Sequence, residues 1–342
     1  MKIILALLIA VSAGKAYAVD VKMSGTIYSN FSAVTSKHLS NGVEAHGRNE
    51  FDVSRIYLNA AADHDEHISS FVQLEANLLS RDPVSSGTTN QVFLKQAYLE
   101  YKELYPGAKL LFGLIQAPWT APLEEPVWKH RFVAKTLPDE EGLLQTTDRG
   151  ARLSGKAPHL GYELMVANGE GSGARQTTGN EGNKYKDFSG RLSFSPFSEG
   201  GLSGLRIHAF GQKGKKYSNW ERDRAIGSVS FESGKFNAMA SYYASRDGKG
   251  VAAGTDTVKG AGFSVFTVVN VAKTCWVFAR WDKWDPDTAV LNNAHSRVIV
   301  GGGHALTDTV RMAVDYQALM QQKQTATAKD QGTASVHLEV KF

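Results

Sequence analysis

The chain has 342 residues, 42% of them hydrophobic, with 38 Lys or Arg against 34 Asp or Glu and one cysteine. A formal charge of +4 is too small for the basic field that marks nucleic-acid binding, and a single thiol excludes an intrachain disulfide framework. The mean hydropathy of −0.27 suits a soluble domain, and equally a membrane barrel whose strands turn every second residue to water.

The first element is a leader. "MKIILALLIAVSAGKAYA" carries Lys2, an apolar run from Ile3 to about Ala13, and the small-residue pattern Ala16-Tyr17-Ala18. That order predicts a secretory signal peptide over 1–18, and the run is shorter than the roughly 18 residues of a spanning helix. Residues 19–342 are expected to form one β domain, with a charge lowered from +4 to +2 by loss of Lys2 and Lys15. Cys275, in "TCWVFARW", reads as a small buried or lipid-facing residue rather than a reactive thiol.

From residue 21 onward, about sixteen segments of roughly ten residues alternate apolar and polar, the period of a strand with one dry and one wet face. In "VKMSGTIYSNF" Val21, Met23, Gly25, Ile27 and Phe31 share a face; in "FNAMASYYAS" Phe236, Ala238, Ala240, Tyr242 and Ala244 do. In "DTVRMAVDYQAL" Val310, Met312, Val314, Tyr316 and Ala318 oppose Arg311, Ala313, Asp315 and Gln317. The connections alternate in length. Long ones fall near 32–48, 80–90, 117–147, 170–183, 214–220, 246–257, 285–295 and 321–331. Short ones fall near 61–66, 104–107, 157–159, 196–202, 233–234, 271–272 and 306–308.

Long polar loops on one rim and tight turns on the other predict an all-β fold, a transmembrane antiparallel up-and-down β-barrel of about sixteen strands. The last segment, "ASVHLEVKF", fits this. Val336, Leu338, Val340 and Phe342 lie on one face, and Ser335, His337, Glu339 and Lys341 on the other. In hydrocarbon every backbone amide must be paired, so the last strand has to close on the first. The apolar face then meets outer-membrane lipid, with Phe342 in an interfacial aromatic girdle. A terminal aromatic on such a strand also resembles the segment by which the outer-membrane assembly machinery recognises its clients.

The stretches "FDVSRIYLNAAADHDEHISSFVQLE", "QAYLEYKELYPGAKLLFGLIQAPWTAPLEEPV", "AKTLPDE" and "TTDRGARLSGKAPHLGYELMVANGEG" span roughly residues 50–170. Together they resemble the phosphate-selective porin family, porins O and P. The resemblance implies a passive Gram-negative outer-membrane channel for small ions and solutes, phosphate or other anions among them. It also implies a homotrimer and a third long loop, here 117–147, that narrows the pore. Pro118, Pro122, Pro126 and Pro138 stiffen that loop by fixing φ, and Trp119, Trp128, Phe132 and Leu137 are candidate anchors on the inner wall.

The candidate pore-lining residues are Arg55, Arg152, Arg191, Arg206, Arg280 and Arg311 from the strands, with Lys129, Arg131 and Lys135 from the loop. Rings of Arg or Lys attract anions, and the guanidinium fork suits phosphate. Two features oppose a strongly basic throat. Glu75, Glu100, Glu163, Asp282, Asp315 and Glu339 share the inward faces and are candidate partners of the arginines. The loop's Glu124, Glu125, Asp139, Glu140 and Glu141 against its three cations give it a formal 3 − 5 = −2. A selective throat then requires the three cations nearest passing ions and the five carboxylates turned to the wide vestibule.

Neither "ADHDEH" nor "WDKWDPD" reads as a metal site, since each lies in a turn or loop where charge is solvated. No G-x-S-x-G, H-E-x-x-H or phosphate-loop motif occurs, and no cofactor is expected. The expectation is therefore a porin rather than an enzyme, mildly anion-preferring. An outer-membrane lipase- or protease-like barrel and a non-conducting adhesin are the alternatives.

Overall fold

The structure, a computed structural model, describes residues 19–35, 39–40, 43–44, 47, 49–78, 90–169, 171–172, 185–217, 220–248, 257–322 and 330–342. The expected signal peptide, and much of the expected long loops near 80–90, 170–183, 246–257 and 321–331, lie outside the described residues.

Eighteen strands follow one another in the described chain. They are β1 (Val21–Val34), the short pair β2 (Leu39–Ser40) and β3 (Val43–Glu44), β4 (Asn49–Asp63), β5 (Ile68–Leu78), β6 (Asn90–Lys102) and β7 (Ala108–Gln116). After a long connection come β8 (Thr147–Ala157), β9 (Leu160–Ala167), β10 (Asp187–Phe194), β11 (Leu205–Tyr217), β12 (Trp220–Glu232) and β13 (Phe236–Gly248). The last five are β14 (Thr257–Asn270), β15 (Cys275–Asp285), β16 (His295–Ala305), β17 (Val310–Gln321) and β18 (Gln331–Lys341). β2 and β3 pair only with each other, β1 pairs with β4, the strands from β4 onward pair antiparallel in chain order, and β18 pairs with β1, so sixteen strands close into a barrel.

Closure leaves no sheet edge, which is what hydrocarbon demands of a β structure. The period of 2 then sorts side chains between lipid and lumen. Along β15 Trp276, Phe278, Arg280, Asp282 and Trp284 are buried inward, while Val277 and Trp281 are exposed outward. In β18 Ser335, His337 and Glu339 are buried, and Val336, Leu338 and Phe342 are exposed. Large apolar residues therefore cover the outside, while the inside is mixed, polar along β18 and largely aromatic along β15.

The bounds reproduce the expected alternation. Turns 64–67, 103–107, 158–159, 195–204, 233–235, 271–274 and 306–309 form one rim, and both ends of the barrel wall lie on it. Cys275 starts β15 beside that rim, half-buried, with Sγ 3.2 Å from His304 Nδ1. Where β7 approaches the long connection, Gly113 has φ +136°, and a Cβ there would stand 2.3 Å from the Ala97 carbonyl oxygen. Only glycine fits that kink.

Candidate pore constriction

The connection from β7 to β8, residues 117–146, folds into the barrel. Its local structure follows from its prolines. A widened helical turn, Thr120–Glu124, runs into α1 (Glu125–Trp128), and α2 (Leu137–Glu140) follows. Pro126 and Pro138 sit in the first turns of α1 and α2, where a missing N–H leaves no intrahelical bond unmade. Lys129 ends α1 in a left-handed conformation, φ +61°, with its N–H donating to Glu125 O at 2.8 Å.

The loop is held by an apolar seam on the inner faces of β11–β17. Trp119 and Trp128 are fully buried. Trp119 packs on Phe210, and Trp128 packs edge-on against Phe266 and Phe278 at 5.3 and 5.6 Å between centroids. His130 stacks on Trp276 at 5.4 Å. The expected anchors Phe132 and Leu137 join the same core, with Leu143 and Leu144. Phe132 also reaches Tyr28 on β1 and His337 on β18, so the loop touches both sides of the lumen.

Polar contacts lock the seam. Tyr243 donates to Glu124 Oε1, His295 meets Glu141 at 2.9 Å, and Arg297 meets Glu140 at 3.0 Å. Arg224 Nε donates to Leu143 O at 2.8 Å, Arg311 to Lys129 O at 3.2 Å, and Arg280 to Lys135 O. Burial raises the Glu124 carboxyl above its usual range, outweighing the hydrogen bonds that favour its charged form. Burial likewise lowers the His130 imidazole to about 3, helped by Arg311 and Lys129.

The arrangement of the candidate pore residues differs from an open basic track. Arg55 pairs with Glu75 at 3.0 Å. Arg152 and Arg191 share Glu163, at 3.4 and 2.7 Å. Arg206 pairs with Glu232 at 2.8 Å, Arg280 with Asp282 at 2.5 Å, and Arg311 with Glu339. Four of the six carboxylates that the pattern offered as partners therefore take an arginine. The other two take Lys109, at Glu100, and His337, at Asp315.

In the loop, Arg131 bridges Glu125 and Asp139, the latter at 2.7 Å. Burial would raise the Asp139 carboxyl, but Arg131, with Lys135, outweighs it and holds it below the usual range. Lys129 is exposed and Lys135 half-buried. The requirement that the five carboxylates face a vestibule is not met. Glu124 is buried against the wall, Glu125 and Asp139 grip Arg131, and Glu140 and Glu141 clamp the loop to β16. The reason is that charges drawn part-way out of water inside a barrel need partners. Sequence reasoning did not pick out Tyr243, Arg224, His295 or Arg297. Their one signal was an inward position on an alternating strand.

The loop separates two recesses. One, of about 500 Å³, lies towards the long-loop rim, between Tyr28, Arg55, Arg131, Lys135, Arg297 and Ser335. Its charged lining is the four cations Arg55, Arg131, Lys135 and Arg297 against the single carboxylate Glu140. The other, of about 750 Å³, runs from Pro122 and Pro126 to the short-turn rim. Its lining holds Lys102, Lys109, Lys156, Arg191 and Arg206 against Glu103, Glu163 and Glu232.

A closed sixteen-stranded antiparallel barrel with an apolar outer face and a loop folded into its lumen is the porin fold. Solved structures bear this out. The chain is similar to the anion-selective porin from Comamonas acidovorans, with a TM-score of 0.68 and 12% identity over 95% of this chain and 100% of that one. It is similar to the outer-membrane channel DcaP of Acinetobacter baumannii, at 0.66 and 9% over 95% and 97%. It is also similar to the trimer form of OmpT, an outer-membrane protein of Vibrio cholerae, at 0.60 and 11% over 95% and 100%. No family model matches the chain, and no curated protein does.

Proposed function

We propose that the chain is a bacterial outer-membrane porin through which small hydrophilic solutes diffuse, with a mild preference for anions. The observation that carries this reading is the inward loop, which leaves one recess open towards each rim, both lined by more cations than carboxylates. Around the upper recess Glu75 pairs with Arg55, and Glu125 and Asp139 pair with Arg131. In the Arg55–Glu75 pair the cation is the more exposed end, 11% against 1%, and in a constriction such fixed charges are weakly screened.

Phosphate is among the anions a guanidinium fork accepts. The engagement of Arg55, Arg152, Arg191, Arg206, Arg280 and Arg311 by carboxylates favours a graded preference over a dedicated phosphate site. The long loops face outside and the tight turns face the periplasm, after export by the leader. A homotrimer accords with the trimeric form of the Vibrio neighbour. Single-channel recording of the purified protein in a planar bilayer tests the reading. Discrete conductance steps, with a zero-current potential of anion sign in a salt gradient, are expected. A barrel without conductance steps favours the enzyme or adhesin alternatives, and a cation-sign potential removes the anion preference.

A further inference from the structure

The upper recess has two unlike sides. Its barrel wall runs through β4, β1, β18, β17 and β16, in that order around the lumen. The middle three strands bring Asn30, Ser32, Gln317, Gln331, Thr333 and Ser335 to it, a belt of amides and hydroxyls without a lining carboxylate. Ser32 and Ser335 are direct neighbours across β1 and β18, and Gln317 and Thr333 across β17 and β18. Below them His337 is taken by Asp315, at 2.5 Å. Glu50 and Asp52 adjoin Ser32 and Asn30 in the register but do not line the recess.

The cations surround this belt. Arg55 on β4 and Arg297 on β16 flank it, and the loop supplies Arg131 and Lys135. Three of the four are already committed, Arg55 to Glu75, Arg131 to Glu125 and Asp139, and Arg297 to Glu140. Lys135 makes no ion pair among the described residues, and its ammonium acts on Asp139 only from longer range. Gln317 likewise makes no side-chain hydrogen bond among the described residues, and it is half-buried. Asn30 Nδ2 donates to Ser32 Oγ at 2.9 Å, and the Ser32 and Ser335 hydroxyls meet at 2.8 Å. Amides and hydroxyls joined in this way keep further lone pairs and protons for a ligand.

We infer that the upper recess holds a sugar bearing one acid group, its hydroxyls on the belt of β1, β18 and β17 and its acid group at Lys135. The inference rests on the channel reading above and names the solute class of that site. A volume of about 500 Å³ is within the range of small-molecule sites. An inorganic anion would use the cations and leave six amides and hydroxyls to water. A neutral sugar would leave the Lys135 ammonium unmatched. A second acid group would meet either the neutral belt or an arginine that already holds a carboxylate. A wall that hydrogen-bonds a ligand's hydroxyls also discriminates against analogues that lack them.

The test titrates the full barrel, refolded in detergent micelles, by calorimetry. The probes are glucuronate and glucose 6-phosphate, with glucose as the sugar without an acid and acetate and inorganic phosphate as acids without a sugar. Conductance is recorded on the same preparation in a planar bilayer. At least one sugar acid should bind roughly tenfold or more tightly than glucose and than its own free acid, and the tighter of the two names the acid group. Lys135→Gln should bring that sugar acid down to the level of glucose. Thr333→Val, close to isosteric, and Gln317→Leu should each weaken both sugar acid and glucose by roughly two- to tenfold, and the free acids less. Sugar acids held no more tightly than glucose, or than the free acids, overturn the inference. Unchanged binding in Lys135→Gln, or in both belt variants, also overturns it. A barrel that binds without conducting overturns the channel reading alone, and one that conducts without saturable binding overturns this inference alone.

Discussion

Gly25 and Phe342 close the barrel together. The Gly25 N–H donates to Phe342 O at 2.8 Å and the Phe342 N–H donates to Gly25 O at 3.1 Å. The Phe342 ring lies over the glycine, and a Cβ on Gly25 would stand 2.2 Å from it. The terminal residue thus completes the β1–β18 ladder that begins at Thr26↔Lys341. Deleting Phe342, or changing Gly25 to Val, should lower the yield of folded, heat-modifiable barrel in the outer membrane. Gel mobility with and without heating reads this out. Normal yield in both variants would show that the last pair contributes nothing to closure.

Depth should govern charges placed on the same strand. Val336 lies four residues further from the terminus than Val340, and both face outward. Val336→Arg should destabilise by up to about 2–4 kcal/mol, as at the bilayer midplane, and Val340→Arg by about 0–1 kcal/mol, as near an interface. Reversible unfolding in lipid vesicles measures both. Equal losses would place the membrane belt elsewhere.

Trp128 is the deepest anchor of the constriction, buried against Phe266 and Phe278 with its Nε1 donating to Ala134 O at 3.0 Å. Trp128→Ala removes a buried aromatic, a change that costs about 3–5 kcal/mol in cores. The barrel wall does not depend on this packing, so the loss should fall on the loop. Larger and noisier conductance is expected, with the folded barrel intact. Unchanged conductance would mean that the polar clamps alone hold the loop.

Arg131 is the charge on which the throat's sign depends. Arg131→Gln leaves Glu125 and Asp139 without their shared partner, and stranding a buried charge is strongly unfavourable, about 3–5 kcal/mol. The zero-current potential should move towards cation preference as the two carboxylates become dominant. Lys135→Gln, whose side chain lines the upper recess, should shift it less and leave the loop seated. A larger shift from Lys135 would make the recess, rather than the bridge, the selective element.

Two loop groups give opposite pH dependences. The raised Glu124 carboxyl favours the protonated form in the seated loop. Its contribution is complete below the ordinary carboxyl pKa and is lost as pH rises through the raised one. The depressed His130 favours the neutral ring. Its contribution is complete above about 6.5 and is lost as pH falls towards about 3. Protease access to the loop should therefore rise at both extremes. Glu124→Gln should flatten the alkaline limb and His130→Phe the acid limb. If both variants keep both limbs, other groups control the seat.

The sequence by itself determined the barrel. A period of 2 is local, so the alternation in segments such as 236–245 and 310–319 assigned each strand its lipid and lumen faces. The long–short spacing of connections did the same for the two rims. The length of 117–147, about thirty residues without an alternating pattern, also marked a loop with work to do, and the resemblance implied that it narrows the pore. What only the tertiary structure decided is which charges oppose one another. Arg206 and Glu232 are neighbours because the β11–β12 hairpin brings them together, but Arg280, Arg297 and Arg224 meet a loop more than eighty residues away in the chain. Of the wall pairs, Arg191–Glu163 and Arg311–Glu339 are direct cross-strand neighbours that the strand register sets opposite each other. What closure around the loop added was the loop's contacts with β12, β15 and β16. Coulombic pairing depends on distance through space, and no pattern along a strand encodes that distance.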